Sequence, residues 1–294
     1  QARPPVIEST GTGAGMKLFC GGIGARWPDI ENASRRMKRS EFDTCVANGV
    51  DRIIEVQIGI DGIAFAESLA GPRLSLTPRD LYRALAMTPG GRPNRARTWA
   101  DVNPALPAIP IQVYGPPATS GTRDALAELI LAKGCEADDP AAARLATTDH
   151  AAFAARCQRV REDGAYVDAG ENDNLIVQKL GTNPTAIGVL GFSFLEQNMD
   201  TIRDVPIDGV LATYQTISDF SYPASRPLYI YVKAQHVHAI RGLREFLDEY
   251  TSERAWGPGG YLQRRGLVPA PDDVRAENRA RAEALTPLTK GDLE

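Results

Sequence analysis

Apolar positions recur along this chain with two different periods, and the two periods take turns. RIIEVQIGIDGIAFAES is rich in apolar and β-branched residues and reads as two strands with a break at Gly59 to Gly62. PLYIYVKA and IPIQVYG read as buried strands, PPVIEST and PDIENA as short ones. Between them the spacing turns helical. TPRDLYRALA is a helix opened by Thr77 and Pro78. Ser40 with Asp43 has the form of a capping box, which predicts a helix from Glu41 to about Ala47. PAAARLATTDHAAFAARCQRVRED is mostly helical, VHAIRGLREFLDEYTSE is a long amphipathic helix, and another helix runs from about Asp272 to Leu285. LIVQKLGTNPTAIGVLGFSFLEQN reads as helix, turn, strand and short helix. There is no internal repeat. Helices and strands alternate throughout, so the class is α/β.

The length of 294 residues suits two domains or one large one. With 43% hydrophobic and 24% charged residues the composition is that of an ordinary globular protein, and no apolar run reaches the length of a membrane span. The net charge of −4 argues against a general polyanion binder such as a nucleic-acid protein. Any anion site must then be local and built from directed donors. No signal pattern opens the chain, which leaves a removed signal, a cytosolic protein or an incomplete start. Cys20 and Cys45 lie in one region, Cys135 and Cys157 in another. Their spacing alone fits two disulfides or four buried thiols. His150, His236 and His238 stand at no zinc-ligand spacing from them, so no metal and no cofactor is expected.

The stretch PATSGTRDALAELIL places Thr119, Ser120, Gly121, Thr122 and Arg123 at the start of a helix. N-capping accounts for one hydroxyl, with Leu126, Leu129 and Ile130 as the buried stripe behind it. It accounts less well for the other hydroxyls, or for an Arg in the first turn, where the helix dipole disfavours a cation. Amides, hydroxyls and a guanidinium at a helix N-terminus make an anion site. GTGAGMK is neither a P-loop nor a dinucleotide fingerprint; it is a plain glycine turn, or a loop whose amides and Thr12 hydroxyl face an anion, and it leads into a short helical piece around Met16 to Cys20. NASRRMKRSE is a solvated charge run, or it repeats the hydroxyl-plus-guanidinium chemistry through Ser34 and Arg35. In GENDNLIVQKL, Asn172, Asp173 and Asn174 read as capping residues. No nucleophile–base pair and no catalytic motif is present, which favours binding over chemistry.

In order and spacing, ESTGTGAGMKLFC, NASRRMKRSE, IGIDGIAFA, VYGPPATSGTRDAL, GENDNLIVQKL, AIGVLGFSFLEQN and WGPGGYLQRRGL resemble the phosphate-binding periplasmic proteins of ABC-type import, from the first residues to about Pro271. The resemblance implies a two-lobed type II periplasmic-binding-protein fold with two hinge strands and an anion site in the interlobe cleft. The first lobe would take residues 1–68, the second 69–218, and 219–294 would return to the first and add a helical tail, with hinges near Ala66 to Ala70 and Thr216 to Tyr222. It implies inorganic phosphate as ligand, an ABC permease as partner, a monomer, a periplasmic location, and no enzyme activity. The ligand residues would be Thr12, Gly13, Ser34, Arg35, Ser120, Gly121, Thr122 and Arg123. Some members have an Asp acceptor where this chain has Ser34 and an Arg where it has Pro116; the charge role would pass to Arg35 and Arg123. An exported protein would pair Cys20 with Cys45 and Cys135 with Cys157. The chain starts at the family's second strand, so the first strand and first ligand loop are expected to be missing and the chain to be poorly stable. Competing readings are a receptor for sulfate, tungstate or arsenate, a cytosolic anion sensor, and a secreted phosphatase-like enzyme.

Overall fold

The longest apolar run of the chain forms its longest strand. In the computed structural model, which describes residues 5–8, 11–170 and 172–293, Ile53–Ser68 is one continuous 16-residue strand (β2) rather than two. Its glycines serve close packing instead of a turn. A Cβ at Gly59 would lie 2.6 Å from Leu267, and one at Gly62 2.6 Å from Ile217.

The chain divides into two compact units, Gln1–Asp61 with Arg226–Glu294, and Gly62–Ser225. In the first unit, β1 (Ile30–Ala33) pairs antiparallel with β7 (Ser225–Lys233), from Ile30 opposite Val232 to Ala33 opposite Tyr229. β7 in turn lies beside β2. Both faces of this sheet are covered. Ile53 and Tyr231 pack with Met16, Phe19, Met37 and Phe42, whereas Ile54, Ile230 and Val232 pack with Leu243, Leu247 and Trp256. Two covered faces explain why β2 and β7 carry near-continuous apolar runs.

In the second unit the end of β2 pairs antiparallel with β5 (Ile187–Gly191) and with β6 (Ile202–Asp204). β3 (Val113–Gly115) lies parallel to both β5 and β4 (Tyr166–Asp168). IPIQVYG contributes only its last three residues to the sheet; Pro110 has no amide to give a ladder.

The helices Pro78–Leu85, Asp173–Thr182 and Asp272–Glu283 follow their expected courses. Three further expectations fail. VHAIRGLREFLDEYTSE is divided into Ala234–Val237 and Leu243–Tyr250, with Gly242 at φ 88° between them, a left-handed backbone that no helix continues through. The helix around Cys45 starts earlier, at Arg39, because Glu41 rather than Asp43 accepts from a preceding amide, that of Lys38 at 2.8 Å. Residues 5–8 form no strand, and Val6 and Ile7 are 90% and 82% exposed; the rest of PPVIEST lies outside the described residues. Among the described residues no helix is long and apolar enough to cross a membrane.

Both disulfides are formed, Cys20–Cys45 and Cys135–Cys157. The first ties the end of helix Thr12–Phe19 to helix Arg39–Ala47. The second ties Ala132–Asp138 to His150–Cys157.

Candidate anion-binding site

The helical piece expected around Met16 to Cys20 starts earlier, so that GTGAGMK is not a turn or a loop but the opening of a helix, Thr12–Phe19. Gly11 makes the entry with φ 74°, which an L side chain rarely adopts. No side chain caps this start and its first turn carries no acid. The first intrahelical bond, Gly15 N–H to the Gly11 carbonyl at 2.9 Å, comes after Gly13 and Ala14, so the earlier amides have no intrahelical acceptor. A Cβ at Gly13 would meet nothing within 4 Å, which leaves open space beside these donors.

Ser34 is brought to the same place. It follows β1, its amide donates to Thr12 Oγ1 at 3.0 Å, and the two hydroxyls are 3.0 Å apart. The loop behind it is anchored to the sheet. Arg36 grips the buried Glu55 through three contacts of 2.6 to 3.0 Å, Tyr231 Oη donates to Glu55 at 2.9 Å, and the Met37 amide donates to Tyr231 Oη at 2.7 Å. The charge run is exposed at Arg36, Lys38 and Arg39, yet Arg36 is also tied to the sheet. Arg35 is engaged too, with two bonds to Glu41 at 2.7 and 3.0 Å. Burial alone would raise the Glu41 carboxyl, but the Arg35 guanidinium and the Lys38 amide hold it below its ordinary value. The structure thus places the expected cation of this unit inside an ion pair.

Glu31 is the site's unforeseen member. It lies on the inward face of β1, 9% exposed, against Gly15, where a Cβ would come within 2.2 Å of its carboxylate. Burial, and then the neighbouring Glu41, push its pKa up to about 7 against the pull of Arg35. In IENA nothing sets Glu31 apart from an ordinary polar strand residue, so the sequence carried no signal for it.

The second unit builds its helix start differently. Ser120 caps it, its Oγ accepting from the Thr122 amide at 3.3 Å. The helix Gly121–Ala125 then runs on through a π-helical segment, Leu126–Leu131, into Ala132–Asp138. Leu126 and Ile130 are fully buried, whereas Leu129 is only half-buried. The Thr122 hydroxyl makes no hydrogen bond among the described residues. The Arg123 guanidinium lies 4.0 Å from the centre of the Tyr166 ring, a cation–π contact. Tyr166 Oη donates to the Pro116 carbonyl at 2.7 Å. Burial raises the Tyr166 phenol, and Arg123 opposes the rise. A Cβ at Gly115 would lie 2.2 Å from the Tyr166 phenol oxygen. Gly115, Tyr166 and Arg123 therefore form one chain of contacts that fixes where the cation lies. Asn172 is the cap its sequence suggests, accepting from the Asn174 amide at 3.1 Å. Among the described residues no group of three or more His, Cys, Asp and Glu could hold a metal ion.

The profile of the PBP superfamily domain matches residues 1–254. The chain belongs to the PBP superfamily. Protein SphX of Synechocystis is 30% identical over 274 residues, spanning 91% of this chain and 70% of the relative. The phosphate-binding protein PstS of Staphylococcus saprophyticus is 27% identical over 290 residues, 94% of this chain and 75% of the relative. Among solved structures, a possible phosphate-binding protein from Planctomyces limnophilus is similar in fold, with TM-score 0.68, 24% identity, and coverage of 94% of this chain and 86% of that one. The fold class expected from the sequence, that of the type II periplasmic-binding proteins, is the fold of this PBP-superfamily member.

Proposed function

We propose that this protein is a receptor that binds inorganic phosphate through the donors of its two ligand segments, Thr12, Gly13, Ser34 and Arg35 in one unit and Ser120, Gly121, Thr122 and Arg123 in the other. It releases the ion to the permease of an ABC importer. The observation that carries the reading is the start of helix Gly121–Ala125, where the Thr122 hydroxyl makes no hydrogen bond among the described residues and the Arg123 guanidinium rests on the Tyr166 ring without a salt bridge among them. The uncapped start at Thr12, with no acid in its first turn, supports it from the other unit. A tetrahedral oxyanion suits such donors because hydroxyls, amides and a guanidinium converge on several acceptor oxygens at once. Phosphate is favoured over other oxyanions by the PstS relative, whose name states that ligand. Two disulfides fit an exported protein. The protein binds its ion and does no chemistry on it.

Calorimetric titration of the purified protein with phosphate, then sulfate, tests this. Saturable binding of one phosphate per chain, with sulfate much weaker, is the expected result. Sulfate binding equal to phosphate, or heat from neither, would reject the assignment.

A further inference from the structure

The second unit carries a charge distribution that anion capture at Ser120 to Arg123 does not use. Residues 81–100 contain Arg83, Arg92, Arg95 and Arg97 and no acid, in a chain whose net charge is −4. Arg83 is paired with Asp138 at 2.5 Å. Arg92, Arg95 and Arg97 are exposed and form no salt bridge among the described residues. Asp101, which attracts Arg97, is already engaged by the Arg97 and Thr98 amides at 2.9 and 2.8 Å.

Their backbone is held firmly. The Asn94 side chain donates to the Arg83 and Ala86 carbonyls at 2.8 Å each, and its oxygen accepts from the Ala96 amide at 3.0 Å. Arg161, only 6% exposed, donates from below to the Ala84 and Ala96 carbonyls at 3.0 Å, and Asp163 balances its charge. The Arg97 carbonyl accepts from the Ile111 amide at 2.8 Å. A loop held in this way presents its exposed arginines at a fixed spacing.

Arg95 and Arg97 line a groove of about 770 Å³ together with Pro110, Ile111, Asp163, Gly164 and Ala165; Asp163 is its acid, and Arg161 engages it. Pro110 and Ile111 precede β3, and Gly164 and Ala165 precede β4, the two strands running parallel. The ligand segment follows the other end of β3. The groove therefore lies at the opposite end of this unit's sheet from Ser120.

We infer that this groove is a docking site for an extended acidic polypeptide segment of a partner protein. Arg95 and Arg97, the two exposed cations of its lining that form no salt bridge among the described residues, select carboxylates, which Arg can grip in bidentate fashion. Pro110, Ile111 and Ala165 in the same lining suit side-chain stems and Cα atoms, which a bare inorganic polyanion lacks. A concave surface receives a chain more readily than the flat face of a bilayer. Because the groove and the phosphate donors are at opposite ends of the sheet, a docked partner leaves those donors uncovered in this unit.

The test uses the whole protein and two fluorescein-labelled octapeptides, four Glu-Ala repeats and four Gln-Ala repeats, read by anisotropy at low and at about 0.15 M salt. The Glu peptide should bind at low salt, more weakly at the higher salt, and the Gln peptide should not bind. The double change R95E/R97E should weaken the Glu peptide at least tenfold, and R95E alone more than the control R144E, which reverses an exposed charge outside the groove. Phosphate affinity and thermal midpoint should stay unchanged in all three variants. Equal losses from R95E and R144E would overturn the inference, since diffuse charge would then account for binding. So would unaltered binding in R95E/R97E, or no binding of the Glu peptide to the unaltered protein. Capture by phosphatidylglycerol vesicles that depends on Arg95 and Arg97, without peptide binding, would also overturn it and assign the surface to a membrane.

Discussion

The two helix starts that the sequence marks as ligand segments solve one problem in opposite ways. The start at Thr12 is uncapped, entered through Gly11, and its hydroxyl is held by Ser34. The start at Gly121 caps itself through Ser120 and leaves the Thr122 hydroxyl without a bond among the described residues. The cations differ more. Arg35 is locked to Glu41 by two bonds, whereas Arg123 lies on the face of Tyr166. A carboxylate cancels a guanidinium's charge; an aromatic face orients it and leaves the charge in place. In these terms the first candidate segment carries amides and hydroxyls, and the second carries a guanidinium that no salt bridge among the described residues neutralises.

This contrast is open to direct attack. Replacing Arg123 by Ala should have the largest effect, weakening phosphate binding tenfold or more in calorimetry, since a charge-assisted hydrogen bond contributes about 1.5–3 kcal/mol. Arg35→Ala should cost clearly less. An equal or larger loss from Arg35→Ala would end the distinction.

The next largest effect belongs to Gly115→Ala. Its Cβ would displace the Tyr166 ring, and overpacking of this kind costs about 1–3 kcal/mol. Chemical denaturation should show that loss, and phosphate affinity should fall with it because Arg123 rests on the same ring. Full affinity in a destabilised Gly115→Ala protein would show that Tyr166 does not place the cation.

A third test uses pH. Glu31 in the first unit has its pKa pushed up to about 7 by burial, well above the ordinary carboxylate range. The folded state then holds a proton that the unfolded chain releases. The stability this lends is fully present below about pH 4.5 and is lost as pH rises to about 7, by roughly 1–3 kcal/mol. Asp204 in the second unit, also pushed by burial to about 7, adds a loss of the same sign. Urea denaturation at pH 5 and pH 8 should show the decline, and Glu31→Gln should flatten the first unit's share. A slope unchanged by Glu31→Gln would remove Glu31 from the account.

The smallest effect is the most discriminating. Glu41→Gln removes the carboxylate that neutralises Arg35, so phosphate affinity should rise a few-fold, at a stability cost of about 1 kcal/mol. A fall in affinity would mean that Glu41 holds Arg35 in its working position instead of cancelling it.

Much of the fold is legible in the sequence wherever local signals decide it. Thr77 and Pro78 start a helix, Asn172 caps one, and PLYIYVKA is a strand, because capping, Pro geometry and apolar runs act over a few residues. The continuity of β2 is not legible, because Gly59 and Gly62 look like turn residues until Leu267 and Ile217 are seen to fill the space beside them. The helix entry at Thr12 is hidden in a run of glycines. At the candidate site the residue types are readable, but their charge states are not. Tyr166 lies 43 positions beyond Arg123 and meets it only once β3 and β4 pair. Glu31 reads as an ordinary polar strand residue until helix Thr12–Phe19 covers it.

The two disulfides bear on how the protein can be produced. Each is anchored to the far portion of a candidate ligand helix, and they close segments with separations of 25 and 22 residues. In the chain-entropy account each cross-link is worth about 3 kcal/mol, so together they are comparable to the whole stability of a typical domain, about 5–15 kcal/mol. A reducing cytosol would therefore yield a protein whose candidate ligand helices have lost their tethers. A phosphate biosensor built on this scaffold for use inside cells would need both cystines replaced by a well-packed apolar pair before any fluorophore is attached.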